Sequence, residues 1–254
     1  GAVDETCKKL NEVLDKETII INVSKGFHPV THERISEVIK RIIKPEYLKS
    51  VVSLIGPSHA EEVILRLVTT VNAVSDCEES ATLVQQIFSN NYFRVYRNYD
   101  VIGAETGVAI KNIMAIASGI ITGIGQGDNA RAALMTRGLA EMTRYGVYFG
   151  GKTETYLGLD GVGDLIVTCT SVHSRNYQAG LQIGKANGAK EFMETNKATV
   201  EGIMAAKVIH EEAIKNNISM PITEQVYKVL YEGMKPKDAA ENLMSRDLKD
   251  EWIM

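Results

Sequence analysis

Residues 103–122, GAETGVAIKNIMAIASGIIT, mark the point at which the pattern of the sequence changes. The run is apolar and compatible with a helix, and Lys111 is the only charged residue within 106–127. Its length raises the question of a membrane span. Residues 106–127 also contain Asn112, Gln126 and five glycines, and this range lacks basic or aromatic flanks. We therefore predict a buried helix that ends in a glycine-rich loop, with no membrane insertion.

The segment before residue 102 alternates between strand-like and helix-like patterns. Short β-branched runs are typical of strands, and runs with apolar residues at helical spacing separate them. The predicted strands are 18–26, 50–56, 69–75 and 92–98, and the predicted helical segments are 5–14, 32–43, 57–67 and 78–89. This alternation predicts an α/β layer with a mostly parallel sheet.

After residue 102 the strand-like runs stop and long helical patterns take over. Helices are predicted at 103–122, 128–149, 160–170, 174–186, 200–216 and 221–233. Pro221 suits a first helical turn, and Gly233 suits a C-terminal stop. The predicted fold class is therefore α/β followed by all-α, with residues 1–102 as the α/β domain and residues 103–254 as a helical domain.

The bulk composition is that of a globular protein, with 44% hydrophobic and 24% charged residues in a chain of 254. A net charge of −4 argues against a nucleic-acid partner, because nucleic-acid-binding domains usually carry a basic patch. The polar start has no signal-peptide core. We predict a cytoplasmic protein, since three widely spaced cysteines support neither a disulfide framework nor a zinc site.

Two further features carry little chemistry. His28 and His32 are four residues apart, but Pro29 interrupts a helix between them, and no metal site is predicted. Trp252 and the acidic segment 247–251 are predicted to form a surface end.

Lys111 is the first candidate for chemistry. Its neighbours three and four positions away in a helix are Gly107, Val108, Met114 and Ala115. Small residues on that face would let a ligand or another segment approach closely. Burial disfavours the charged form of a lysine and lowers its pKa, so that such a group can exchange protons near neutral pH. The alternative is a lysine that reaches solvent from a partly buried helix, or one paired with a carboxylate such as Glu105.

The segment GLDGVGDLIVTCTSVHSRN, residues 158–176, holds a second cluster. Asp164 and Thr168 are four residues apart and share one face of a predicted helix. Gly161 and Gly163 would open the start of that helix to close approach by another group.

The same segment ends in Ser174, Arg175 and Asn176, which begin the next predicted helix. Free backbone N–H groups and a guanidinium would converge there, which is typical of an anion site. The alternative is a serine that caps the helix beside a solvated arginine.

Two loops follow predicted strands. VSKGF, residues 23–27, places Lys25 at a carboxyl edge of the sheet, where open α/β sheets bind ligands. GPSHAEE, residues 56–62, turns into a helix N-terminus with free N–H donors. Each loop is weak evidence by itself, but together with Lys111 they favour a ligand site.

One motif is absent. A dinucleotide-binding α/β domain normally opens with a strand, a GxGxxG turn and a helix. The first hundred residues contain no such motif, and GIGQG at 123–127 has a different spacing and follows a helix. We therefore expect the first α/β units of such a domain to be missing.

A resemblance to the bacterial NAD(P)-dependent glycerol-3-phosphate dehydrogenases covers almost the whole chain. It is carried by the ordered blocks VSKGF, GPSHAEE, FRVYRNYDVIGAETGVAIKNIMAIASGI, GDNARAALMTRGLAEM, GLDGVGDLIVTCTSVHSRN, VEGIMAAK and MPITEQVYKVLYEG. The resemblance implies an N-terminal Rossmann domain, here incomplete, and an α-helical substrate domain. It implies NAD or NADP as cofactor and the interconversion of sn-glycerol 3-phosphate and dihydroxyacetone phosphate, which feeds phospholipid synthesis. It also implies a homodimer.

The resemblance further assigns roles to residues. Lys111 is similar to the general base that takes the C2 hydroxyl proton, and Asp164 and Thr168 are similar to the polar groups that position substrate and lysine. The implied substrate-binding residues are Lys25, Gly56, Ser58, Lys111, Asp164, Ser174, Arg175 and Asn176. The implied cofactor-binding residues are Lys25, Ala60, Arg175, Thr199 and Glu201. No metal is implied.

The departure from the family pattern generates a further expectation. The opening βαβ region, roughly 60–90 residues by the size of such units, has no counterpart in this sequence. We expect the chain to keep the substrate half, to bind cofactor poorly and to turn over slowly or not at all. The choice between NAD and NADP stays open, because the discriminating position lies in that region. The alternatives are a related dehydrogenase of another phosphorylated hydroxy compound and an inactive metabolite-binding or assembly fragment of the same fold.

Overall fold

The computed structural model describes residues 2–248, 250 and 251. Its chain divides into two compact units. The first unit comprises Gly1–Ala109 and Phe149–Asp164, and the second comprises Ile110–Tyr148 and Leu165–Met254. The domain boundary near residue 102 stays a prediction. Trp252, predicted to lie at a surface end, is outside the described residues.

A four-stranded sheet forms the centre of the first unit. Its strands lie in chain order: β1 Thr18–Asn22, β2 Leu48–Ile55, β3 Thr69–Val74 and β4 Phe93–Asn98. The β1–β2 and β3–β4 pairs are parallel, whereas β2 and β3 are antiparallel. The prediction of a mostly parallel sheet is confirmed, with this one antiparallel pair in the middle.

Helices make up most of the remaining described chain. They are α1 Ala2–Val13, α2 Ile35–Ile42, α3 Ala60–Ile64, α4 Glu78–Phe88, α5 Val101–Gly123, α6 Asp128–Tyr148, α7 Thr153–Tyr156, α8 Asp164–Thr170, α9 Arg175–Ala186, α10 Lys190–Thr195, α11 Glu201–Lys215, α12 Pro221–Tyr231 and α13 Pro236–Met244. A 3₁₀ turn occupies Pro45–Tyr47, and a π-helical turn occupies Leu159–Gly163. The long helices agree with the sequence pattern, whereas α7, α10 and α13 were not predicted.

Apolar side chains on both faces of the sheet hold the first unit together. On one side, Cys7 of α1 and Ile39 of α2 pack with Val51 of β2. A second cluster joins the sheet to α4 and includes Val71 and Val84. Both clusters follow from amphipathic helices that cover β-branched strands, which is the arrangement that the alternating pattern predicts.

Helix α5 is mostly apolar and is largely buried. By length and composition it is the one helix among the described residues that could cross a membrane, but 83% of its most apolar window is buried inside the protein. Burial by protein is the behaviour of a core helix, and it agrees with the buried helix that the sequence predicts.

In the second unit, α5 and α9 touch backbone to backbone. A Cβ atom added to Gly119 would lie 2.1 Å from the carbonyl oxygen of Tyr177, and one added to Gly180 would lie 2.0 Å from that of Ile116. Any side chain at these positions would separate the helices, because close-packed interiors have no room to yield. Glycine therefore sets the distance at which α9 lies from α5.

Helix α12 of the second unit begins on a buried carboxylate. Glu141 of α6 is 2% exposed and accepts hydrogen bonds from the backbone N–H groups of Ile222 (2.6 Å) and Thr223 (3.1 Å) and from the Thr223 hydroxyl (3.0 Å). These N–H groups belong to the first turn, where they lack partners within the helix. Burial raises the pKa of Glu141 to about 7, although the three hydrogen bonds oppose the shift.

This raised pKa predicts a pH-dependent contribution to stability. Between pH about 4.5 and about 7 the folded chain holds a proton on Glu141 that the unfolded chain has released. The group's contribution to the free energy of unfolding therefore falls as the pH rises through this window. A Glu141→Gln variant does not titrate there. We expect the parent to lose stability relative to this variant as the pH rises, by urea denaturation of both proteins between pH about 5 and about 8. A difference that is constant with pH would contradict the assignment.

Candidate active site

Lys111 lies inside the second unit and does not reach solvent. Its side chain is 2% exposed, and its Nζ donates a hydrogen bond of 3.0 Å to Oγ1 of Thr168 on α8. Thr168 is itself 5% exposed. This burial excludes the alternative, raised by the sequence, that the Lys111 side chain extends to solvent. The structure instead places a primary amine and a hydroxyl together in the interior.

The residue that follows this lysine on α5, Asn112, pairs its carboxamide with that of Asn176 on α9. Asn176 of α9 donates from Nδ2 to Oδ1 of Asn112 at 3.1 Å and accepts from the backbone N–H of Gly202 at 2.8 Å. Both asparagines are at most 5% exposed. Sequence reasoning missed Asn112, although a carboxamide in an otherwise apolar helix is a signal that a polar partner is needed.

Ser174 and Arg175 begin helix α9 in different ways. The Ser174 hydroxyl accepts from the backbone N–H of Tyr177 at 3.2 Å, so this serine is the helix cap considered from the sequence. Arg175 is more than half exposed, and its guanidinium pairs with Glu201 at the start of α11, with 2.5 Å between Nη2 and Oε1. The arginine is thus partnered rather than freely solvated. Thr199 is exposed and lies just before α11.

In the first unit, Lys25 forms an ion pair with Asp164, a residue far from it in the sequence. Lys25 lies in the loop after β1, and its Nζ is 4.0 Å from Oδ2 of Asp164, the first residue of α8. The Lys25 side chain is one-third exposed, whereas Asp164 is 1% exposed. The structure therefore brings together two residues that the sequence placed in separate motifs, 139 positions apart (164 − 25).

The predicted loop at 56–62 begins with a close backbone approach. Gly56 is buried with φ +141°, and a Cβ there would lie 3.0 Å from Cα of Val71 on β3. The Ser58 hydroxyl donates to the Gly56 carbonyl at 3.0 Å, and Ala60 begins the short, exposed helix α3. Gly56, Ser58 and Ala60 thus share one loop at the end of β2.

The turn before Asp164 contains an acidic residue that sequence reasoning missed. Asp160 is 1% exposed, and its Oδ2 accepts from the carboxamides of Asn72 on β3 (2.8 Å) and Asn98 on β4 (2.7 Å). Burial raises its pKa to about 7, against the two hydrogen bonds and with a smaller contribution from nearby Asp164 and Asp100.

The predicted helix at 160–170 needs correction at its start. Residues Leu159–Gly163 form a π-helical turn, and α8 begins only at Asp164. Gly161 was expected to admit another group at the helix start. In the structure a Cβ on Gly161 would lie 2.1 Å from the carbonyl oxygen of Tyr156, so the space is filled by the preceding segment of the chain. π-Helical turns are frequent at functional sites, and this one directly precedes Asp164.

Among the residues that the structure describes, no group of three or more His, Cys, Asp or Glu side chains is arranged to hold a metal ion. Six of the candidate residues form three contacts: Lys111 with Thr168, Arg175 with Glu201, and Lys25 with Asp164. A buried amine beside a hydroxyl can exchange a proton, and exposed cations can attract an anion. The catalytic and binding roles of these residues stay predictions.

The Asn176 geometry generates a stability prediction. Asn176→Ala would leave the Gly202 N–H and Asn112 Oδ1 buried without their present partner, at a cost of about 1–3 kcal/mol in the free energy of unfolding. Its neighbour supplies the control, because Arg175→Ala removes an exposed ion pair and should cost under about 1 kcal/mol. Urea denaturation of both variants measures the two values. Equal losses would show that the buried carboxamide pair contributes nothing special.

Comparison with known proteins identifies the family. Family models for the N-terminus and the C-terminus of NAD-dependent glycerol-3-phosphate dehydrogenase match residues 1–81 and 100–241. The chain is 51% identical to glycerol-3-phosphate dehydrogenase (NAD(P)+) of Listeria monocytogenes over 251 residues, which are 99% of this chain and 74% of that protein. It is 52% identical to the protein of the same name from Ligilactobacillus salivarius over 94% of this chain and 70% of that protein.

Solved structures agree with the family models. The crystal structure of glycerol-3-phosphate dehydrogenase from Coxiella burnetii matches with a TM-score of 0.88 and 37% identity, over 96% of this chain and 74% of that chain. Glycerol-3-phosphate dehydrogenase from Saccharomyces cerevisiae matches with a TM-score of 0.81 and 25% identity, over 94% of this chain and 71% of that chain. The chain therefore belongs to the NAD-dependent glycerol-3-phosphate dehydrogenase family.

Proposed function

We propose that this chain is an NAD(P)-dependent oxidoreductase that interconverts sn-glycerol 3-phosphate and dihydroxyacetone phosphate. The observation that carries the proposal is the buried Lys111–Thr168 pair in a chain that shares 51% identity with a glycerol-3-phosphate dehydrogenase over 99% of its length. Residues 1–102 are proposed as the cofactor domain and 103–254 as the substrate domain.

Lys111 is assigned the transfer of the proton in this reaction. In oxidation the neutral amine takes the proton from the C2 hydroxyl, and in reduction the ammonium returns it and stabilises the developing alkoxide. Because Thr168 Oγ1 accepts a hydrogen bond from Nζ, the amine has a fixed direction in the interior. A bound nicotinamide would accept the hydride from C2 or supply it in the reverse direction.

The phosphate is assigned to the start of helix α9. The Ser174 oxygen accepts from Tyr177, so its own hydroxyl hydrogen remains available for donation. Asn176 uses one Nδ2 hydrogen for Asn112, which leaves the second. The exposed guanidinium of Arg175 has further N–H donors beyond those that face Glu201. This supply of donors fits a dianionic phosphate group.

The remaining substrate contacts of the proposal are in two loops that follow strands. Lys25 is one-third exposed, so its ammonium can approach an anion while Asp164 lies 4.0 Å away. Gly56 and Ser58 are proposed as contacts from the loop after β2. Asp164 is proposed to keep the Lys25 side chain in place through this ion pair.

The residues at helix starts fit a nucleotide cofactor. Arg175 and Glu201 present a guanidinium and a carboxylate that are accessible to solvent, which can contact phosphate and hydroxyl groups of NAD or NADP. Ala60 and Thr199 are exposed and leave room for such a ligand. These residues, with Lys25, form the proposed cofactor-binding set. The proposal further includes a cytoplasmic location, a homodimer and a contribution to phospholipid synthesis, all supported by the family resemblance.

Calorimetry with substrate tests this function. We expect the chain to bind glycerol 3-phosphate, with and without NAD or NADP, and not to bind glycerol, which lacks the phosphate. Oxidation of NADH or NADPH with dihydroxyacetone phosphate, followed by absorbance, measures turnover. Binding without turnover would favour the metabolite-binding alternative, and turnover only with another phosphorylated carbonyl compound would favour a related dehydrogenase. Absence of binding would contradict the assigned phosphate site.

Lys111→Ala tests the proton-transfer role. We expect kcat for dihydroxyacetone phosphate reduction to fall about 10²–10⁴-fold, the contribution typical of a positioned acid or base. Helicity by circular dichroism should stay near that of the parent. Lys207→Ala, at an exposed position of α11, is the matched control and should keep full activity. Retained activity in Lys111→Ala would rule out this lysine as the proton-transfer group.

A further inference from the structure

Glu105 is a buried carboxylate to which the proposed reaction gives no role. It lies on α5 within the first unit and is 5% exposed. Its Oε1 accepts from the backbone N–H of Ser36 at 3.1 Å, and its Oε2 accepts from the Ser36 hydroxyl at 2.6 Å. The guanidinium of Arg34 lies 3.6 Å away. These contacts fix the first turn of α2, and they would suffice for a structural role.

A second set of hydrogen bonds leads from Glu105 in another direction. The hydroxyl of Ser53 on β2 donates to Glu105 Oε1 at 3.3 Å and accepts from Nδ2 of Asn22 at 3.1 Å. Asn22 is the last residue of β1 and is 6% exposed. Its Oδ1 accepts from the backbone N–H of Ser24 at 2.9 Å, and its Nδ2 also donates to the Ser24 carbonyl at 3.3 Å.

The direction of donation in this series follows from the carboxylate. The single hydroxyl hydrogen of Ser53 is directed at Glu105 Oε1, so the Ser53 oxygen is left to accept from Asn22. Asn22 must then turn its amide nitrogen toward Ser53 and its oxygen toward the Ser24 N–H. With the amide flipped, the NH₂ group would face that N–H and the amide oxygen would face Ser53 Oγ and the Ser24 carbonyl, so all three hydrogen bonds would be lost. The orientation of Asn22 that satisfies Ser24 is thus the one that also donates to Ser53, whose hydroxyl donates to Glu105.

This orientation holds both backbone polar groups of Ser24, the residue before Lys25. On the other side of Lys25, Gly26 has φ +95°, a conformation that favours glycine. Lys25 therefore lies between Ser24, whose backbone N–H and carbonyl both bond to Asn22, and the turn at Gly26. Its Nζ lies 4.0 Å from Oδ2 of Asp164.

We propose that Glu105 is a positioning residue that acts through Ser53 and Asn22 to fix the loop carrying Lys25. The inference rests on the proposed function, because it matters for binding only if Lys25 contacts the phosphorylated substrate. According to this inference, the proposed site depends on a carboxylate that is not itself one of the proposed ligand contacts.

A double-mutant cycle between Ser53 and Lys25 tests the inference. Ser53→Ala removes the link to Asn22 and leaves the Ser36 contacts of Glu105 in place. We expect this variant to bind glycerol 3-phosphate about three- to tenfold more weakly by calorimetry, the effect of one hydrogen bond. In a Lys25→Ala background the same change should have no further effect, because the series acts only through that lysine.

A matched control separates positioning from general loss of stability. Ser75→Ala also removes the hydroxyl of a fully buried, hydrogen-bonded serine at the end of a neighbouring strand, but Ser75 bonds to Val51 outside this series. We expect it to lower the melting temperature and to leave the affinity for glycerol 3-phosphate unchanged. If Ser53→Ala does not fold, Asn22→Asp replaces it, since a carboxylate keeps the acceptor for Ser24 and loses both donors.

The outcomes distinguish this inference from the proposed function. If Lys25→Ala binds glycerol 3-phosphate as the parent does, the assigned role of Lys25 fails and takes the inference with it. If Lys25→Ala binds more weakly but Ser53→Ala binds normally, the proposed function stands and the inference is overturned. It is also overturned if Ser53→Ala weakens binding equally in both backgrounds. Hydrogen exchange at the Ser24 amide should quicken in Ser53→Ala and not in Ser75→Ala, whatever the affinity shows.

Discussion

The burial of helix α5 is the constraint on which the rest of the structure depends. A helix shielded from water must pair its polar side chains with protein groups, because each unpaired buried group costs free energy. Glu105, Thr106, Lys111, Asn112 and Ser118 are all at most 5% exposed. In the first unit, Glu105 bonds to Ser36 and Ser53, and Thr106 bonds to Tyr156. In the second, Lys111 bonds to Thr168, and Ser118 bonds to the Cys169 carbonyl. One apolar helix therefore organises elements far apart in the sequence.

Glycine makes this pairing geometrically achievable in the second unit. A Cβ on Gly180 would lie 2.0 Å from Ile116 O, and a Cβ on Gly202 would lie 2.5 Å from Asn112 O. Helices α9 and α11 can thus approach α5 at backbone distance. Only at that distance can the short carboxamide of Asn176 bond to both Asn112 and Gly202. The starts of α9 and α11, which carry Arg175 and Glu201, are therefore fixed by packing that involves neither residue.

The parts of the fold that depend on local pattern could be predicted, and those that depend on distant partners could not. Period and composition suffice for the strands and for α5. They carry no information on which hydroxyl Lys111 meets, because Thr168 lies 57 positions away (168 − 111). The π-helical turn at Leu159–Gly163 was predicted as ordinary helix, since it depends on Gly161 fitting against Tyr156. Asp160 was missed because its need for partners is met by Asn72 and Asn98 on two different strands.

The two lysines assigned to the reaction differ in the property that decides their chemistry. Lys25 is one-third exposed, so its amino group can meet an anion that arrives from solvent. Lys111 is 2% exposed and donates to a hydroxyl, and burial of this degree penalises a permanent charge. A group that must lose and regain a proton in each cycle is better served by the second environment. Burial of one side chain and partial exposure of the other therefore fit the two roles proposed for these lysines.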